Sequence, residues 1–154
     1  MNDYQRACEL KDETIANRRY IHEHAEVGLE LPQTRAYVME KLKEYGLEPK
    51  VCGAGVTATL GKAGKVLLLR ADMDALPIQE DHPDAPYCSK TAGVMHACGH
   101  DGHAAALLGA AKKLASERNF GGKVVLVFQP GEEGWSGAKH MMEDGLFERF
   151  PMQE

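Results

Sequence analysis

The sequence predicts an α/β domain, a layered sheet with flanking helices, on three observations. Two segments with helical periodicity, residues 12–24 and 32–45, precede the first strand-like runs. Two short stretches, Val66-Leu67-Leu68-Leu69 and residues 123–128 after their leading Lys123, are apolar on successive positions, as buried sheet strands are. A helical stripe at 103–117 lies between those two stretches, so the order helix, strands, helix, strand, helix implies a crossover and some parallel pairing.

Each element has a local reason. Asp12 to His24 reads as a helix, with acidic residues in its first turn and with Ile15, Arg19 and His22 on related faces. Pro32 suits a first helical position, Val38, Leu42 and Tyr45 follow at i, i+4 and i+7, and Gly46 supplies a left-handed stop. Val56 to Leu60 is strand-like and is separated from Val66 to Leu69 by the turn Gly61-Lys62-Ala63-Gly64. The second of these strands, apolar on both faces, is expected in the middle of the sheet under helices. Residues 81–92 form a polar, proline-containing loop. The helix at 103–117 buries Leu107, Leu108, Ala111, Leu114 and Ala115, Lys123 to Phe128 is another doubly buried strand, and Gly137 to Asp144 is helical with Gly145 ending it. The sequence then stops at Glu154, an abrupt finish for an α/β sheet.

A chain of 154 residues with 44% hydrophobic and 27% charged residues builds one domain with a real core. Its 18 basic and 23 acidic residues give a net charge of -5 without a basic stripe, which excludes nucleic acid and anionic membrane as partners. Cys8, Cys52, Cys88 and Cys98 form no C-x-x-C pair, the first residues lack the apolar segment of a signal peptide, and Ala104 to Ala111 is too short to span a bilayer. A reducing cytoplasm with free thiols is the expected location.

The chemistry is concentrated in His96-Ala97-Cys98-Gly99-His100-Asp101-Gly102-His103. In an extended segment Cys98 and His100 point to one side and can converge on one ion, while Gly99 lets the backbone bend around it. A buried thiol beside a satisfied histidine is the plainer alternative. A closed structural zinc site would need a second ligand pair, and none is present, which leaves an open catalytic site. Asp101 either caps the following helix or bonds to a ligand. His103 either ligates or packs locally, and His96 is open in the same way. Asp72 and Asp74 follow an apolar strand, where ligands of α/β sheets gather, and share a face if the strand continues. The functional reading makes Asp74 the orienter of a ligand imidazole, and the plainer one makes both aspartates solvated turn residues. Glu132 and Glu133 end the next strand. In an extended loop they point apart, so one carboxylate binds metal while the other takes a proton from water, unless both are merely solvated. Residues 134–138 lack the second glycine of G-x-S-x-G, residues 61–64 match no phosphate loop, and Met141 and Met142 read as core filler.

Arg18-Arg19-Tyr20-Ile21-His22, Arg70 to Pro77, Met95 to His103 and Gln129 to Gly137 resemble, in order and spacing, the M20 family of metallopeptidases. The branch they most resemble is that of N-acyl-amino-acid amidohydrolases, which includes hippurate hydrolases and plant indole-acetyl-amino-acid hydrolases. The match runs from about residue 13 to the end. The resemblance implies a divalent metal centre, manganese or zinc and two ions in the full-length enzyme, that hydrolyses the amide of a small-molecule N-acyl amino acid with activated water. By that resemblance Cys98, His100 and Glu133 are metal ligands, Glu132 is the general base, and Asp74 orients a ligand. Asp72 stands where other branches carry a ligand histidine. Ala25 and Leu31 replace a proline and a glutamate common in the first motif. Family members are more than twice as long, carry two further histidine ligands, and form homodimers through an inserted α+β lid. The resemblance therefore covers one partial catalytic domain, residues 1–154, without the lid. Ligand counting supports a second reading, a truncated non-catalytic fragment with residual metal binding.

Overall fold

The computed structural model describes residues 2–151. Its helices are α1 (Asp3–Glu9), α2 (Lys11–Glu23), α3 (Pro32–Glu44), α4 (His100–Glu117), α5 (Gly137–Glu143) and α6 (Leu146–Arg149), and its strands are β1 (Lys50–Cys52), β2 (Gly55–Gly61), β3 (Val66–Asp72) and β4 (Lys123–Gln129). The strands form one mixed sheet in the order β1-β2-β4-β3, with β2 antiparallel to both β1 and β4, and β3 parallel to β4. The crossover that a parallel pair requires is supplied by α4. The α/β architecture expected from the sequence is thus the one observed.

Strand β4 is the centre of the sheet, and its run Val124–Gln129 is buried on both faces. On one face Leu126 and Phe128 join Ile21, Val38, Leu42 and Leu108 in the main core. On the other, Val125 and Val127 pack with Cys52, Met141 and Leu146. The parallel register sets Asp72 opposite Gln129, so the chain leaves β3 and β4 at the same end of the sheet. The N-terminus of α4 reaches that end too, where His100 meets Asp72 and Asp74.

Several expectations need correction. Strand β3 is the terminal strand of the four, not a central one, and Leu67 is 50% exposed. Its apolar run records burial by helices on part of its surface but says nothing about its lateral neighbours. The turn at 61–64 does not pair the strands beside it, because β4 inserts between β2 and β3. Helix α4 begins at His100 rather than His103. Its N-cap is Gly99 in the left-handed region at φ 87°, with no side-chain cap bond, so Asp101 is not the cap. Gly145 (φ 84°) does end α5, but it also opens α6. Helix α1 and strand β1 escape the sequence reading. No residue of α1 is buried, so it has no apolar period to detect; its sequence marks are terminal, a capping box in which Asn2 accepts the Gln5 N–H and the Gln5 side chain answers, with Asp3 in the first turn and Arg6 in the last. The four cysteines are free, and no described helix is long and apolar enough to cross a membrane.

Candidate metal centre

His100 is the hub of the site. Its ring is 2% exposed and its Nδ1 lies 2.8 Å from the main-chain carbonyl oxygen of Asp74. A carbonyl only accepts, so Nδ1 carries the proton and Nε2 presents its lone pair. Around that Nε2 stand Asp72 Oδ2, Glu132 Oε2 and Glu133 Oε1, each at 3.7 Å. These separations are too long for hydrogen bonds. They suit donors that share an ion through bonds of about 2.0–2.2 Å each.

The donor atoms of Cys98, His100 and Glu133 all lie within 4.8 Å of one another. Two loops far apart in sequence therefore bring together sulfur, imidazole and carboxylate, the donor set expected of a borderline-soft divalent cation. The Cys98 thiol is exposed and hydrogen-bonds to Glu133, which, with burial and the negative charge of Glu133, Glu132 and Asp72, raises its pKa. Such an accumulation of lone pairs and negative charge around one nitrogen is what a cation would relieve.

Asp74 is fully enclosed. Its Oδ2 accepts the backbone N–H of Glu133 at 3.0 Å and so ties the β4 loop to the β3 loop. Its Oδ1 is 3.3 Å from His100 Nδ1, but that N–H is directed at the Asp74 carbonyl, and Oδ1 keeps no hydrogen bond. The imidazole is thus oriented by the main chain of Asp74 more than by its carboxylate. Asp72 approaches the opposite nitrogen of the same ring. Burial pushes its carboxyl up, but the hydrogen bond from His103 and the neighbouring His100 and Arg70 outweigh this and hold it below its ordinary range.

Asp72, His100 and His103 form a second group of converging donors. Asp72, however, is already engaged, by His103 Nδ1 at 2.7 Å and Arg70 Nη1 at 3.0 Å. His103 stacks on His100 with ring centroids 5.6 Å apart. Glu132 and Glu133 do not point apart as expected of an extended loop. Residues 132–134 form a turn closed by the Gly134 N–H to the Glu132 carbonyl, and both carboxylates reach the same nitrogen of His100. The Glu132 side chain is 43% exposed against 24% for Glu133, so it is the more open to water.

Asp101 faces away from the donors, into α2. Its Oδ2 lies 2.7 Å from both Arg18 Nε and His22 Nδ1. The sequence reading missed this pair, although Arg18 and His22, four apart, share a helix face. His96 is buried, and neither ring nitrogen has a partner; burial lowers its pKa to about 4.

Residues 68–154 match the family model described as peptidase family M20/M25/M40. The chain is 50% identical to the hippurate hydrolase of Campylobacter jejuni, over 97% of its own length and 40% of that protein's. It is 44% identical to the N-acetyl-L-cysteine deacetylase of Bacillus subtilis, over 88% of this chain and 34% of that protein. Among solved structures it is similar to the YxeP protein of Bacillus subtilis, described as a dinuclear metal binding peptidase of the M20 family, with a TM-score of 0.84 and 38% identity over 88% of this chain and 40% of that one. The chain thus spans about two fifths or less of the length of these relatives. The half of the chain that carries β3, the Cys98–His100 turn and the paired glutamates is the half the family model matches, and the chain belongs to peptidase family M20/M25/M40.

Proposed function

We propose that this chain is part of the catalytic domain of a metal-dependent amidohydrolase that cleaves the amide bond of N-acyl amino acids, compounds of the hippurate type. The observation that carries this reading is the convergence of Cys98, His100 and Glu133 within 4.8 Å, with Glu132 3.7 Å from the same imidazole nitrogen. The residues fit a divalent ion, zinc or manganese, and Cys98, His100 and Glu133 would hold it. When bound, such an ion acidifies water and polarises the scissile carbonyl. Glu132, the more solvent-open carboxylate, accepts a proton from that water and delivers it to the leaving nitrogen. Asp74 fixes His100 and Glu133 in place, and Asp72, held by Arg70 and His103, adds negative charge beside the imidazole. In the whole protein the reading extends to a second ion, a substrate-binding lid, a homodimer and a cytoplasmic location.

A second reading, a metal-binding unit without turnover, draws on the donor count. The two donor groups share His100, and Asp72 is already bonded to Arg70 and His103, so the described residues supply one complete set rather than two. One assay separates the readings. The purified chain is loaded with Zn2+ or Mn2+ and tested on hippurate and N-acetyl amino acids beside Glu132→Ala. Turnover that disappears in the variant supports the amidohydrolase; metal uptake without turnover supports the second reading.

A further inference from the structure

We infer that His22 is a positioning residue: from α2 it holds the first turn of α4, and through it the Cys98–His100 donors, in the geometry that accepts a metal ion. The inference rests on the proposed metal reading and deepens it. His22 is 3% exposed and spans two carboxylates, with Nδ1 2.7 Å from Asp101 Oδ2 and Nε2 3.0 Å from Glu80 Oε1. Burial pushes the Glu80 carboxyl up, but the Ser89 N–H, His22 and Cys88 hold it below its ordinary range, so it accepts. With a carboxylate oxygen at each ring nitrogen, the imidazole is a two-ended strut rather than a pendant ring.

The strut meets α4 where that helix has no anchor of its own. Its cap, Gly99, makes no side-chain cap bond, and the helix starts with a donor residue, His100. The side-chain ties that fix this turn are the Nδ1–H of His100 on the Asp74 carbonyl, His103 Nδ1 on Asp72, and, on the α2 side, the grip of Arg18 and His22 on Asp101. The Arg18 side chain is partly exposed whereas that of His22 is buried, so His22 is the rigid member. Glu80, at the other end of the strut, is itself fixed by the Ser89 N–H at 2.7 Å, which couples the 81–92 loop to the same turn. Rotation of α4 about its first turn would swing Cys98 and His100 together, and His22 opposes it. Groups that orient metal ligands influence affinity without touching the ion.

The test uses Co2+ as the probe with the full 154-residue chain, reading affinity by titration and ligation by the thiolate-to-cobalt absorption that Cys98 would give. His22→Gln keeps polarity but cannot bridge both carboxylates, and it should weaken Co2+ binding about ten- to hundredfold and alter the cobalt spectrum. Ile21→Val, its fully buried neighbour on α2, should lower the urea midpoint yet bind Co2+ as the unmodified chain does. Asp101→Asn, which retains an acceptor for His22, should fall between and carries the test if His22→Gln does not fold. Loss of Co2+ binding in Cys98→Ser with unmodified affinity and spectrum in His22→Gln overturns the positioning role alone, as does an equal loss in Ile21→Val. If the unmodified chain binds no Co2+, the metal reading falls and this inference with it.

Discussion

The Nδ1–H of His100 donates to the main-chain carbonyl of Asp74 across 2.8 Å, so the tautomer of the central imidazole is set by backbone rather than by a carboxylate. This divides the work of Asp74 in two. Its carbonyl serves His100, and its Oδ2 serves the Glu133 N–H. Asp74→Ala keeps the first contact and loses the second. It should weaken Zn2+ binding about tenfold by freeing the Glu133 loop, while Asp74→Asn, with an amide oxygen in place of Oδ2, should recover most of that loss. Competitive titration against a chelator measures both.

Metal affinity should rise with pH through the neutral range. The hydrogen bond to Glu133 raises the Cys98 pKa, with burial and the surrounding negative charge adding to the effect. In the metal-free chain the sulfur therefore holds its proton up to higher pH than an ordinary thiol, and a cation must displace that proton to bind sulfur. Zn2+ affinity should increase between about pH 6 and about pH 8, with proton release on binding detected by calorimetry in two buffers. Cys98→Ser should bind more weakly throughout and show a flatter slope. An unchanged slope in that variant would assign the released proton elsewhere.

How far the sequence foretold these ties differs from one residue to the next. Cys98, His100, Glu133, Glu132 and Asp74 stood out as candidates, because short spacing and position at strand ends are local properties; which of them would bind metal and which would take a proton came from the family resemblance alone. Strand β4, buried on both faces, was legible for the same reason. The lateral order of strands was not: apolar runs look alike at the edge and the centre of a sheet, and only pairing partners distinguish Leu67 from Leu126. Nor could the sequence show Asp101 reaching His22 across 79 residues, since nothing local links a carboxylate in one helix to an imidazole in another. Helix α1, without a buried face, had no periodic signal to give.

Stability should fall in mild acid because of His96. Burial lowers its pKa to about 4 in the folded chain, against 6.5 when free. Between those values the unfolded chain binds a proton that the folded chain refuses, so unfolding is favoured as pH drops. The contribution is fully present above about pH 6.5, is lost progressively as pH falls towards 4, and amounts at most to about 3 kcal/mol. Urea unfolding at several pH values reads the slope. His96→Phe, which cannot protonate, should flatten it over that interval.

Strand β3 should mediate self-association. It is the terminal strand of the four, and its own Leu67 is half exposed, the kind of apolar edge strand that recruits further strands. Leu67→Lys should reduce association in sedimentation velocity while shifting stability by less than about 0.5 kcal/mol. If the unmodified chain sediments as a clean monomer at the same concentration, this edge is not sticky enough to matter.

Two glycines near the site should respond in opposite ways to alanine. A Cβ at Gly137 would lie 1.6 Å from the Pro130 carbonyl oxygen and 2.6 Å from its carbon, both backbone atoms that cannot step aside. The Gly137 N–H also closes the turn by donating to the Gly131 carbonyl at 3.0 Å. Gly137→Ala should therefore cost about 3 kcal/mol or more and, because it deforms the turn that carries Glu132 and Glu133, lower metal affinity as well. At Gly102, in the first turn of α4, a Cβ meets nothing within 4 Å. Gly102→Ala should gain about 0.5 kcal/mol from helix propensity and leave metal binding unchanged. Thermal melts with and without Zn2+ separate the two effects: the metal-induced rise in Tm should persist in Gly102→Ala and shrink in Gly137→Ala, and a full rise in the latter would show that the glutamate turn tolerates the displaced backbone.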